Sequence, residues 1–220
     1  MKRLLLVSTA IGLAACESAT VPERLPSEIY EYRLPAPGFP VLRWPIGSTV
    51  RIYVAPDAEP TRTAALENGL QQAADVWRAA LLYEEVQVEQ TGDIGNADAV
   101  LLFSSTAPPI SFTNCPRQGG LAYTTFCVDP QDPGRLAIFP IIGGATGHVK
   151  FAVTISNLVT DSEQIRRLVA HEVGHVLGIG QHSPRSSDLM YGNTLTTAVP
   201  SVSDRATLQL LYHTRPDIMP

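Results

Sequence analysis

The sequence predicts a single α+β domain, and three observations carry that reading. Short β-patterned runs separated by prolines fill the first half, one long amphipathic helix is placed early among them, and two more helical segments close the chain. Of 220 residues, 45% are hydrophobic and 17% charged, which suits one sizeable core and excludes disordered, collagen-like and coiled-coil classes. Lys and Arg number 16 against 21 Asp and Glu, a net charge of −5, and no basic run exists, so no nucleic-acid partner is expected.

Lys2 and Arg3 precede a mostly apolar stretch over 4–15, far shorter than the roughly 20 residues of a membrane-spanning helix. Residues 1–15 therefore read as a signal peptide. Its end, Leu13-Ala14-Ala15-Cys16, resembles the bacterial lipobox, which implies acylation of Cys16 and a membrane partner held through an N-terminal lipid anchor. Glu17 follows that cysteine where an Asp would retain the protein at the inner membrane. The implied location is the bacterial cell envelope, at the outer membrane, facing the periplasm or the cell surface; a general secretory signal that happens to precede a Cys is the alternative. Residues 16–48 carry Pro22, Pro26, Pro35, Pro37, Pro40 and Pro45 with little periodicity and read as an extended tether, either free of the domain or lying on its surface. The folded domain is expected over 49–220.

Within it, 50–54 alternates like a half-buried strand and 56–60 is a turn. Thr61 looks like the N-cap of a helix over 62–82, whose Leu66, Leu70, Ala73, Ala74, Trp77 and Leu81 recur at helical spacing. Trp77 reads as core, with ligand stacking the less favoured role. Strands are expected over 86–89, 97–104, 121–128, 136–142 and 149–155, with Pro108, Pro109, Pro130, Pro133 and Pro140 marking breaks. Thr160-Asp161-Ser162-Glu163 is a capping-box pattern that opens a helix over 161–177, ended by Gly178. Ser201 to Asp204 caps a last helix with Leu208, Leu211 and Tyr212 as its apolar stripe. Cys115 and Cys127 remain inside an exported domain, where a disulfide is the default and two buried free thiols the alternative. Without a matching second pair, a Cys-ligated metal is the weaker reading.

The helix over 161–177 contains His171-Glu172-Val173-Gly174-His175, the H-E-x-x-H pattern. An i, i+4 pair lies on one helix face a turn apart, so both imidazoles can meet one zinc ion. Glu172 is offset by about 100°, close enough to reach a water at that zinc without being a ligand. Without further support, the same residues would read as a surface helix with two solvated histidines.

Downstream, Val176-Leu177-Gly178-Ile179-Gly180-Gln181-His182 and Asp188-Leu189-Met190-Tyr191 complete a pattern that resembles the metzincin clan of zinc peptidases, the matrixin group in particular. The resemblance implies a zincin-like (metzincin) domain, a twisted and mostly parallel sheet with an active-site helix and a C-terminal helix. It implies zinc held by His171, His175 and a third His, Glu172 as catalytic base, and Met190 in a tight turn beneath the metal. Gly178 lacks a Cβ and can take φ > 0, turning the chain back toward the metal. The clan spacing places the third His at 181, where this chain has Gln181, with His182 one residue later. Either a bulge at Gly180 lets His182 reach zinc, or Gln181, Asp188 or water takes the third position. His182 is the reading adopted, since a neutral imidazole binds zinc better than an amide oxygen.

The expected function is therefore zinc-dependent hydrolysis of peptide bonds in proteins at the cell envelope, by a monomer whose partner is a peptide or protein substrate. A substrate strand is expected along the edge 121–125 by analogy. The alternative is a non-catalytic, zinc-containing envelope lipoprotein acting as a binding module. His148, in a glycine-rich loop, faces either water or a second ion, and His213 sits at a helix end where a cation suits the dipole.

Overall fold

Strand β1 (Ser48–Val54) pairs on both sides, in parallel with β2 (Val86–Thr91) and with β3 (Ala99–Phe103). Between β1 and β2 runs helix α1 (Pro60–Arg78), the kind of crossover a parallel pair requires. β3 continues in parallel to β5 (Phe151–Ile155), and β4 (Ala122–Thr125) closes the edge antiparallel to β5. The result is a mixed five-stranded sheet of order β2-β1-β3-β5-β4 in an α+β chain. Helices α2 (Ser162–Val176) and α3 (Val202–Tyr212) complete it. This is a computed structural model, and it describes residues 28–220 apart from 37, 112–114, 116–119 and 145. The signal peptide and Cys16 lie outside the described residues. Among the described residues no helix is long and apolar enough to cross a membrane.

Alternation along the central strands divides the core into two layers. Ala99, Leu101 and Phe103 of β3 and Phe151, Val153 and Ile155 of β5 meet the helices, with Leu66, Leu70, Trp77, Val169 and Val173 opposite. Val100, Leu102 and Ala152 point the other way, onto Ile110, Phe139, Ile141 and Val149 of the long connections. All ten residues of β3 and β5 are buried, which explains why both read as nearly continuous apolar runs.

Three sequence expectations shift. Helix α1 runs over Pro60–Arg78 and not 62–82, with Glu59 and not Thr61 as its N-cap; Pro60 supplies helical φ where no N–H is needed. The stretch 136–142 forms no strand: Leu136 and Ile141 make isolated bridges to Val128 and Ile110, and Pro140, lacking an N–H, interrupts any ladder between them. The chain from residue 28 onward is also packed well before Thr49. Tyr30, Leu34, Val41, Leu42 and Trp44 are all buried in the main core, so this part of the Pro-rich segment is a strap across the domain.

Candidate metal centre

Helix α2 opens with Asp161 as N-cap, its side chain accepting from the Gln164 N–H at 2.7 Å. Ten residues later the helix is buried against α1 and the sheet, and His171 and Glu172 are only 5% and 4% exposed. At the C-terminus of α2 the Gly174 and His175 carbonyls accept from the Ile179 and Gly178 N–H groups, while side chains take the last two: Trp44 Nε1 donates to Val176 O at 2.8 Å and Tyr212 Oη to Leu177 O at 3.1 Å. Gly178 follows at φ 109°, a left-handed conformation, and a Cβ there would collide with the Leu42 carbonyl oxygen. The chain doubles back and carries His182 to the two helical histidines.

The ring centroids of His171, His175 and His182 lie 4.9, 5.2 and 5.1 Å apart. One nitrogen from each falls within 4.8 Å of the others, and the Nε2 atoms of His175 and His182 are 3.3 Å apart. His171 Nδ1 lies 2.7 Å from Leu189 O and His175 Nδ1 lies 2.6 Å from Ile179 O. A carbonyl only accepts, so each Nδ1 carries the hydrogen and each Nε2 offers its lone pair. Burial holds His171 down to about 4, holds His175 well below its ordinary value, and lowers His182 as well. Three neutral imidazoles aimed at one point could hold a metal ion.

The other candidates for third ligand are occupied elsewhere. Gln181 donates through Nε2 to Arg33 O at 3.0 Å, and Asp188 accepts from Ser183 Oγ at 2.5 Å. His148 is exposed, and His213, at the end of α3, sits 3.3 Å from Glu85.

Glu172 turns to the sheet side. Its Oε2 accepts from Thr124 Oγ1 at 2.7 Å, and burial pushes its carboxyl up to about 7 although that hydrogen bond lowers it. A carboxyl poised there can both take and give a proton near neutrality. The histidines and Glu172 open onto a cleft of about 1040 Å3, with Leu121 to Thr124 on one wall and Tyr191 to Leu195 on the other. Among the described residues β4 pairs only with β5 and is an edge of the sheet.

Beneath the histidine helix lies Met190, fully buried. A Cβ on Gly174 would collide with its sulfur and come within 2.8 Å of the Trp77 ring, so glycine lets Met190 and Trp77 press against the α2 backbone. Trp77 is a core residue that also donates from Nε1 to Ala170 O at 2.7 Å. The turn holding Met190 hangs on Asp204, read from sequence only as a helix cap. Asp204 accepts from Leu189 N at 2.7 Å, Met190 N at 3.3 Å, Ser201 N at 2.8 Å and Tyr30 Oη at 2.8 Å. Sequence reasoning misses Asp204 and Tyr30 as site residues and places Thr124 only within the substrate edge 121–125, without its bond to Glu172; the capping box at Ser201 hints at Asp204, and no local pattern marks Tyr30 or the Thr124 bond. Cys115 and Cys127 stand at disulfide distance, Cα to Cα 5.8 Å.

Compared with known proteins, the chain matches no protein-family model and no curated protein.

Proposed function

We propose that the chain is a zinc-dependent endopeptidase of metzincin type with a zincin-like fold, acting on proteins at the bacterial cell envelope, where a lipid on Cys16 anchors it. One observation carries the reading: three neutral imidazoles converge beside a buried Glu172 in a cleft that an edge strand borders. Zinc is the metal we assign to this group, and three imidazole nitrogens suit it. Two nitrogens on a tetrahedral zinc with bonds of 2.0–2.1 Å stand about 3.3 Å apart, and the Nε2 atoms of His175 and His182 are separated by 3.3 Å. Three protein ligands also leave a fourth position open, as catalytic sites require.

A bound zinc supplies Lewis acidity, acidifying water and polarising a carbonyl. The substrate main chain adds to β4, an edge strand among the described residues, and so runs along the cleft wall. Glu172, with Oε2 held by Thr124, uses Oε1 to accept the proton of the attacking water and then delivers it to the leaving amine nitrogen. Leu189 O and Ile179 O keep the rings of His171 and His175 in the required tautomer throughout.

The test pairs zinc content with cleavage of a denatured protein, for wild type and Glu172→Gln. Both should hold one zinc per chain, and the variant should lose about 10²–10⁴-fold in turnover. A wild type that holds zinc and cuts nothing would make the protein a zinc-containing binding module. Partition of Cys16→Ala away from membranes checks the anchor.

A further inference from the structure

His182 differs from the two helical histidines in how it is held. Among the described residues no carbonyl takes its Nδ1, and its ring meets the site through His175 Nε2 alone by hydrogen-bond distance. Its ring packs against Gly192, where a Cβ would come within 2.9 Å of it, and the rest of its placement comes through the backbone of its loop. On the C-terminal side, Ser183 N donates to Met190 O at 2.7 Å. On the N-terminal side the partner is the strap: Gly180 N donates to Tyr32 O at 2.6 Å and Gln181 Nε2 to Arg33 O at 3.0 Å. The approach is so close that a Cβ on Gly180 would lie 2.9 Å from the Arg33 carbonyl carbon and from Leu34 Cα.

The strap is itself secured at several points. Leu34 is 3% exposed and its N–H donates to Pro40 O at 3.0 Å, while Tyr30 N donates to Thr207 Oγ1 at 3.4 Å. Tyr30 Oη reaches Asp204, the residue that also fixes the turn under the histidines. The strap thus touches the metal centre twice, through the His182 loop and through Asp204.

We infer that residues 30–36 form a clamp on the metal centre, in which Gln181 is a positioning residue that fixes His182 through Arg33. The inference rests on the zinc reading above and adds a consequence. Loss of the strap's hold on Gly180 and Gln181 leaves the His182 loop tied through Ser183 N and Met190 O, so one ligand of three loosens and zinc binding weakens.

The test uses the full chain and zinc alone, titrated against a chromogenic chelator. Gln181→Met keeps the side-chain length and removes the donor; it should raise the zinc Kd about tenfold, with the unfolding midpoint of the metal-free protein little changed. Gln181→Lys, which restores a donor of similar reach, should recover most of that loss. In a His182→Ala background Gln181→Met should add nothing, since its effect runs through His182. Without metal, amide exchange over 179–183 should be faster in Gln181→Met than in wild type. If wild type binds zinc and Gln181→Met binds it equally well, the clamp is wrong and the zinc reading stands. If wild type binds no zinc, the zinc reading falls, and unchanged exchange over 179–183 in Gln181→Met would overturn the clamp independently.

Discussion

The two halves of the candidate site are held by different physics. His171, Glu172 and His175 ride on α2, whose ladder, N-cap and burial against Trp77 and Gly69 of α1 fix their backbone before any metal arrives. His182 rides on an irregular loop whose position depends on Arg33 and Tyr32, about 150 residues away in sequence, and on Met190. Two candidate ligands thus come from local helical geometry, whereas the third candidate depends on long-range contacts that must form first. The helical half should tolerate damage to the loop better than the loop tolerates damage to the helix.

Removing ligands one at a time is the strongest way to break that contrast. His175→Ala leaves one helical nitrogen and one on a loop, and zinc affinity should fall by well over about 100-fold, beyond the range seen for outer-shell partners. His182→Ala leaves the ordered i, i+4 pair, so weak residual binding should persist. Competition titration of the two variants ranks them. Equal residual affinities would mean that the helix gives its pair no advantage.

The same contrast explains what could be read in advance. His171, Glu172 and His175 are legible because a helix converts spacing in sequence into proximity in space. His182 is visible as a residue close to the expected position, but what orders it is not, since no local pattern couples Gln181 to Arg33. Thr124 is silent for the same reason: a threonine in a strand reads alike whether or not it faces a carboxylate 48 positions on. The strap misleads for a different cause. Tyr30, Leu34, Val41, Leu42 and Trp44 are buried without regular structure, so they show no period, and the prolines among them suggest a tether. Five strands and three helices lie near their expected places, and only 136–142 is assigned to an element it does not form.

Two substitutions sharpen the comparison by attacking what lies between the halves. Asp204→Asn places an amide NH2 among four donors, Leu189 N, Met190 N, Ser201 N and Tyr30 Oη. A buried donor without an acceptor should destabilise the fold by about 3 kcal/mol, read from denaturant unfolding, and should also weaken zinc binding because Leu189 O orients His171. Gly174→Ala forces a methyl against Met190 and Trp77. Overpacking of this kind costs about 1–3 kcal/mol, and Met190→Leu, with similar volume, should cost less. If Gly174→Ala were neutral, the close approach of Met190 to α2 would not be a constraint.

The smallest expected effect is one of sign, in the metal-free protein held with a chelator. Burial keeps His171 at about 4 against an ordinary 6.5, so as pH falls the unfolded chain protonates first and stability drops between 6.5 and 4. His175, also lowered by burial, acts in the same direction. Glu172, pushed up to about 7 from an ordinary 4.5, acts oppositely: its native form takes the proton first, and stability rises as pH falls from 7 to 4.5. Over the shared window the two trends offset each other, so wild type should be flat there compared with Glu172→Gln. In that variant the histidines act alone, and the stability difference, variant minus wild type, should fall steadily from pH 7 to 4.5. Urea unfolding at half-unit intervals measures that difference, and the other carboxylates cancel because both proteins share them. A constant offset would show that Glu172 titrates alike in the folded and unfolded chain, and the burial of its carboxyl beside Thr124 would then carry no electrostatic consequence.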